Sequence, residues 1–351
     1  MTPAFHRIAL RSLATIALTL VGATGVRGRD LAHGRTMPPP SPLLLALNKE
    51  DATLAFVDPA TGTVTARVPT GEGPHEVVTS TDGLLAFVSN YGGNTTPGKT
   101  ISVIDIANRK ELRRVDVTPL VRPHGLAYAD GKLYFTAETN RIVARYDPVA
   151  DKIDWMIGTG QTTTHMLIVN PTATRIITAN IGGNSIAMFE RGNPNSTNWN
   201  ETVIPVGRGP EGFDVSPDGK EIWAAHSVAT DGGVSIIDVA TKKVIATLDT
   251  KTKRSNRLRF TLDGALVLIT DLDAGEVLVI DAVTRKEVKR VPVGKSPEGI
   301  LMAPDGLHAY IGVNGDNFVG VFDLKTLAMT SRILTGNGPD GMAWVGPGRK
   351  Y

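Results

Sequence analysis

The sequence predicts an all-β, seven-bladed β-propeller, and three observations lead there. One phrase returns seven times, each return is followed by short β-rich segments, and the two ends of the repeat region complement each other. The phrase reads GEGPHEVVTSTDG from Gly71, LVRPHGLAYADG from Leu120, GQTTTHMLIVNPTA from Gly160 and GRGPEGFDVSPDG from Gly207. It continues as TKRSNRLRFTLDG from Thr252, GKSPEGILMAPDG from Gly294 and GNGPDGMAWVG from Gly336. A period in the low to middle forties means stacked or radial copies of one small unit. Equivalent positions can then be compared between copies.

The copy at Gly207 shows the elements in order. After the Gly-Pro turn come GFDVS, then EIWAAH, then VSIIDV, then VIATL, with Pro-Asp-Gly and ATKK at intervening turns. These are four short β segments divided by turn residues. The third segment recurs as ISVIDI, IVARYD, SIAMFE, VLVIDA and VGVFDL. Alternation along it is imperfect, as expected of strands buried on both faces. Four antiparallel strands per copy and seven copies describe a propeller. The first blade begins with LLLALN, TLAFVD and TVTARVPT, which match segments two to four, while GMAWV near the C-terminus matches segment one. A C-terminal inner strand therefore joins the N-terminal blade and closes the ring, which removes two sheet edges.

The stretch ATGTVTARVPTGEGPHEVVTSTDGLLAFVSNYGGNTTPGKTISVIDIANRKEL, with AYIGVNGDNFVGVFDLKTL and LVLITDLDAGEVLVIDAVTRKEVKRVPVGKSPEG, resembles the YVTN-type repeat of YncE-like propeller proteins. The resemblance covers roughly residues 43–346. It implies a seven-bladed ring. It leaves activity open, since related propellers include lactonases, lyases, metal-site oxidoreductase domains and plain binding proteins.

The chain divides into residues 1–28, 29–42, 43–346 and 347–351, read as signal peptide, Pro-rich tether, propeller and C-terminal tail. Arg7 and Arg11 flank the start of an apolar run, Leu13 to Val21, followed by small residues around Ala23 and Gly25. This is the pattern of a secretory signal, too short to span a bilayer, and it predicts a periplasmic or secreted protein with no transmembrane segment after cleavage. The formal charge of the whole chain is +2, and it becomes −1 without the three arginines of residues 1–28. A near-neutral chain argues against nucleic acid as the partner of the basic run Lys251 to Arg259. The absence of cysteine excludes disulfides, thiolate zinc sites and cysteine nucleophiles. No phosphate loop, nucleophile elbow or HExxH motif is present. The four tryptophans (Trp155, Trp199, Trp223 and Trp344) read as blade packing.

Two positions per copy are expected to face one end of the central channel, the top. The first is His75, His124, His165, Glu211, Asn256, Glu298 and Asp340. The second, at the end of the second strand, is Asn48, Asn90, Glu138, Asn180, His226, Asp271 and Asn314. Three histidines in one column on consecutive copies suggest a metal site of His75, His124 and His165, for zinc, copper, iron or manganese. Arg122, Arg208 and Arg257 beside the phrase suggest a rim for an anionic ligand, with Asn256, Asp340, Glu138, Asn90 and Asn180 as further ligand-binding residues.

Two functions follow. One is a binding protein that holds a small anionic ligand or a metal ion at this mouth, a protein partner being a further reading. The other is a metal-dependent lactonase-type hydrolase or lyase. In it Glu211 or Glu298 would act as general base, His226 would be a further catalytic group, and an arginine would orient the substrate. The residues leave open whether the chain is an enzyme.

Overall fold

The computed structural model describes residues 42–346. The expected signal peptide, nearly all of the tether and the tail lie outside the described residues. Twenty-eight strands, β1–β28 in chain order, make seven four-stranded antiparallel sheets. Blade 1 has the order β28 (Pro339–Val345), β1 (Leu43–Asn48), β2 (Thr53–Asp58), β3 (Thr63–Pro69). The C-terminal strand is thus the inner strand of the first blade, with Leu43 opposite Val345 and Leu45 opposite Ala343.

The remaining six blades follow the chain order without exchange. Their inner strands are β4 (Pro74–Thr79), β8 (Pro123–Ala129), β12 (Thr164–Val169), β16 (Pro210–Val215), β20 (Ser255–Phe260) and β24 (Pro297–Met302). Each inner strand touches its two neighbours, so that with β28 they form a closed ring around the channel. Middle strands such as β17 (Glu221–His226) and β18 (Gly233–Asp238) are buried along almost their whole length. Outer strands such as β7 (Lys110–Asp116) alternate exposed and half-buried residues, as a one-sided strand must.

The apolar core lies between blades rather than within them. Trp223 and Ile236 of blade 5 meet Phe260 and Ile269 of blade 6, and Phe87 and Val103 of blade 2 meet Leu126 and Phe135 of blade 3. Each blade therefore needs both neighbours to bury its faces. Full burial of one such side chain contributes about 1.5–3 kcal/mol.

Every inner strand carries a β-bulge near its start. In blade 5, Pro210 pairs with His226 but Phe213 pairs with Ala224, leaving Glu211 and Gly212 against a single residue. The same register shift falls at His75–Glu76, His124–Gly125, His165–Met166, Asn256–Arg257, Glu298–Gly299 and Asp340–Gly341. A bulge bends the strand and re-aims its side chains. Seven bulges at one level set two adjacent residues per blade around the channel.

Removal of residues 339–351 deletes β28, opens the ring and exposes the inner edge of β1. The truncated chain is expected to lose the cooperative thermal transition of the full chain. An unchanged melting curve would contradict the split-blade closure.

Candidate functional site

The first bulge residue of each blade builds the ring expected at the channel mouth. His75, His124 and His165 stand on blades 2, 3 and 4. The His75 and His124 rings are 5.1 Å apart edge to face, and those of His124 and His165 are 3.7 Å apart and tilted by 32°. Nδ1–H of His75 donates to the Gly73 carbonyl at 2.8 Å, which leaves Nε2 with its lone pair. Nδ1–H of His165 donates to Glu138 Oε2 at 2.8 Å, and Glu138 Oε1 accepts from the Tyr91 hydroxyl at 2.8 Å. A carbonyl or carboxylate behind an imidazole fixes its tautomer and makes the other nitrogen a better ligand. His165 Nε2 and His124 Nδ1 are buried without a hydrogen-bond partner among the described residues. Burial, then Lys49, lowers the His75 pKa to about 4. Burial and the neighbouring imidazoles push His124 well below its ordinary range. The neutral form is therefore the one the fold holds.

The second bulge residue forms the layer beneath: Glu76, Gly125, Met166, Gly212, Arg257, Gly299 and Gly341. Gly212 and Gly341 are glycine because the strands almost touch here. A Cβ on Gly212 would lie 2.7 Å from Arg257 Cα, and one on Gly341 would lie 3.0 Å from Glu76 Cα. Each glycine thus lets the backbone of the next blade's bulge come close. Arg257, buried, reaches from blade 6 to Glu76 on blade 2 at 2.5 Å. Its other NH group lies 3.3 Å from Asn256 Oδ1, and Asn256 Nδ2 donates to Glu211 at 2.7 Å. Burial pushes the Glu76 carboxyl up and Arg257 opposes this. For Arg257, Glu76, Asp340, Glu211 and Glu298 outweigh the burial penalty and keep the guanidinium charged. Threonines tie the bulges of adjacent blades together. Thr136 Oγ1 accepts from Gly125 N at 2.9 Å and donates to the His165 carbonyl at 2.6 Å; Thr270 does the same between Arg257 and Glu298.

Blades 7 and 1 add an acid pair with a shared cation. Lys49 Nζ lies 3.1 Å from Glu298 and 3.2 Å from Asp340. Burial, then Asp340, pushes the Glu298 pKa up to about 8. Burial works against ionised Asp340 too, but Lys49 and Arg257 outweigh it and bring its pKa to about 2. Burial and the Asp340 charge thus favour the protonated form of Glu298 beside ionised Asp340. It suits proton donation rather than the general-base role expected of it.

Several expectations change. Asn48, Asn90, Asn180, His226 and Asp271 of the second ring bond within their own blades. Asn90 Oδ1 accepts from Gly71 N at 2.9 Å and its Nδ2 donates to Thr100 and Ser102, each at 3.0 Å. Asn180 Nδ2 donates to Ser185 Oγ at 3.2 Å. His226, buried, bonds Ser235 Oγ through Nε2 at 2.9 Å and the Asp231 carbonyl through Nδ1 at 3.1 Å, which removes it as a catalytic group. A Cβ on Gly207 would lie 1.9 Å from His226 Cε1, so the glycine heading the phrase seats this staple. Glu138 is the exception that faces the ring. The arginines do not form one rim. Arg122 lies 4.6 Å over the Tyr91 ring and donates to the Gly93 and Asn94 carbonyls, Arg208 is exposed, and Arg257 is spent inside the channel. The carboxyls of Glu76, Glu211, Glu298 and Asp340 outnumber Arg257 and Lys49, so the mouth is not an anion cup. Nor are the three histidines arranged as a ligand set: His124 and His165 pack ring against ring, His75 meets His124 edge to face, and no three His, Asp or Glu among the described residues are placed to hold an ion. Sequence reasoning missed Glu76, Lys49 and Tyr91.

Residues 130–306, just over half of the chain, match the family model described as the cytochrome D1 heme domain. Antigen Lp49 of Leptospira interrogans is 25% identical over 161 residues, which cover 40% of this chain and 35% of that protein. Protein NirF of Stutzerimonas stutzeri is 31% identical over 109 residues, which cover 31% of this chain and 27% of that protein. The chain thus spans about a third or less of the length of these curated relatives. The solved structure of the periplasmic gluconolactonase PpgL of Pseudomonas aeruginosa has a TM-score of 0.71 at 16% identity, covering 87% of this chain and 99% of that one. At that identity the likeness is one of fold.

Glu298 and His75 give opposite pH dependences of stability. Glu298 ordinarily titrates at 4.5 and in the fold at about 8. Its contribution is complete below 4.5 and is lost as pH rises through 8. His75 ordinarily titrates at 6.5 and in the fold at about 4, so stability falls as pH drops from 6.5 toward 4. Thermal melts from about pH 5 to about pH 9 should decline on the alkaline side, and Glu298→Gln should flatten that decline while sparing the acid one. Equal alkaline slopes in both proteins would contradict the assignment.

Proposed function

The chain belongs to the cytochrome D1 heme domain family, and on that premise we propose that it binds a heme-type tetrapyrrole at the top-face mouth. The observation that carries this reading is the neutral His75 imidazole. Its Nδ1–H is committed to the Gly73 carbonyl, and its Nε2 keeps a lone pair at the only half-buried histidine of the ring. A heme iron can be held by a single imidazole nitrogen from the protein. It does not need the convergent histidines of a bare metal site, so the donors present fit the group.

His75 would hold the metal, and when bound the tetrapyrrole would supply redox chemistry that no side chain here supplies. His124, which burial holds neutral, and His165 pack ring against ring beside it. Glu138 holds the His165 tautomer, and Tyr91 and Arg122 brace Glu138 and the rim above. Exposed Arg208 and half-exposed Arg122 would meet peripheral carboxylates of the ligand where water still reaches them. A periplasmic or secreted setting belongs to the same proposal. The N-terminal segment supports it, and no helix among the described residues is long and apolar enough to cross a membrane.

A lactonase-type hydrolase is the alternative, with protonated Glu298 as the acid that assists the leaving alkoxide. Titration of the purified chain with hemin, followed by the shift of its main absorption band, separates the two. Binding is expected at neutral pH, undiminished down to about pH 5 and lost near the His75 pKa of about 4, where protonation removes the lone pair. His75→Ala should weaken it by about tenfold or more. No shift in the wild type, or equal binding by His75→Ala, would overturn the heme reading. Turnover of glucono-δ-lactone abolished in Glu298→Gln would then favour the hydrolase.

A further inference from the structure

The connection between the third and fourth strands of a blade is four or five residues long in six blades. In blade 4 it is nine, between β14 (Ser185–Glu190) and β15 (Asn200–Pro205). Long loops in a regular repeat are where function is added. This one leaves the ring on the face opposite the histidines. It is held in place: Arg191 donates to the Ala173 and Ser196 carbonyls at 2.9 and 3.3 Å, and its guanidinium lies 4.8 Å over the Trp199 ring.

The loop brings Trp199 to Trp155 on β11 (Lys152–Gly158), the outer strand of blade 3. The two indoles are 5.5 Å apart and tilted by 45°, and Trp155 is backed by Tyr134. Beside them is an open cleft of about 580 Å³. Its lining includes both indoles, Met156, which is 54% exposed, and Thr197, Asn198 and Asn200. No lining residue is charged, although charged residues make up 21% of the chain. The nearby arginines are occupied, Arg191 by the carbonyls above and Arg145 by Asp154 at 2.7 Å. The side chains of Thr197, Asn198 and Asn200 make no hydrogen bond among the described residues. The cleft thus presents rigid apolar faces next to free, uncharged donors and acceptors.

We propose that this cleft between blades 3 and 4 is a second binding site, independent of the channel mouth, and that it takes a neutral pyranose unit of a glycan. A pyranose has an apolar C–H face and a rim of hydroxyls. The indoles match the first and the two amides and the threonine hydroxyl match the second. An anion or a cation would find no counter-charge there.

The test is a titration of the full chain with maltotriose, cellotriose and chitotriose, each up to about 20 mM. It is read by tryptophan fluorescence and by saturation-transfer NMR of the sugar protons. At least one trisaccharide should bind saturably, with a dissociation constant in the millimolar range. Trp199→Ala and the double variant Asn198→Ala/Asn200→Ala should each weaken it by about tenfold, and Trp199→Phe should retain part of it. The double variant touches no core contact, so it decides the matter if Trp199→Ala fails to fold. Hemin binding should be the same in all of these variants. No binding of any trisaccharide to the wild type, or undiminished binding by the double variant, would overturn the proposal and leave the indoles as a cap on the core between the blades.

Discussion

One ion pair inside the channel, Arg257 to Glu76, sets what the mouth of this propeller can be. It joins blades 6 and 2 across the ring and lies beneath the histidines. Removing two charges from water costs several kcal/mol per ion, and the cost is offset only when geometry is good and remaining groups are satisfied. Here Asn256, Glu211 and Asp340 complete the surroundings of the guanidinium. The strand before each partner carries glycine at the same bulge position, where a Cβ would run into the partner's own backbone. With the pair in place the channel has a polar floor, and the first bulge ring becomes a shallow mouth.

That floor divides the mouth electrically. Blades 2 to 4 carry imidazoles, and burial holds those of His75 and His124 neutral. Blades 5, 7 and 1 carry the acids Glu211, Glu298 and Asp340, with Asn256 between them on blade 6, and burial together with Asp340 favours a proton on Glu298. The two halves suit different chemistry, nitrogen ligation on one side and proton holding on the other. The tryptophan cleft stands apart from both, on the opposite face, built by the one third-to-fourth-strand loop that breaks the repeat.

Architecture was legible because the chain carries seven copies of itself for comparison. Period, strand order and the split blade all follow from that, and so does the first ring. The second ring was misread because simple strand alternation ignores the bulge. Two residues against one shift the register between the inner strand and its partner, and the strand-end residues His226, Asn90 and Asn180 turn into the blade. A signal was present in the glycine that heads the phrase, together with a Ser or Thr at the start of the third segment, as in Ser235 for His226 and Ser185 for Asn180. Arg257 was placed on the rim since it sits in a basic run. The column that follows the ring (Glu76, Gly125, Met166, Gly212, Arg257, Gly299, Gly341) shows its real place: only a layer facing a narrow channel would alternate glycine with such long side chains. Trp155 and Trp199 could not be told from packing residues, since their meeting depends on the path of a loop.

Arg257 and Glu76 act as one unit that holds the ring and its mouth. A double-mutant cycle of Glu76→Gln and Arg257→Met in urea unfolding addresses it directly. Each single change is expected to cost about 3–5 kcal/mol by leaving a buried group without its partner. The double change should cost far less than the sum, with an interaction energy of about 2 kcal/mol or more. Additive effects within about 0.5 kcal/mol would show that the two residues do not depend on one another and would contradict the account.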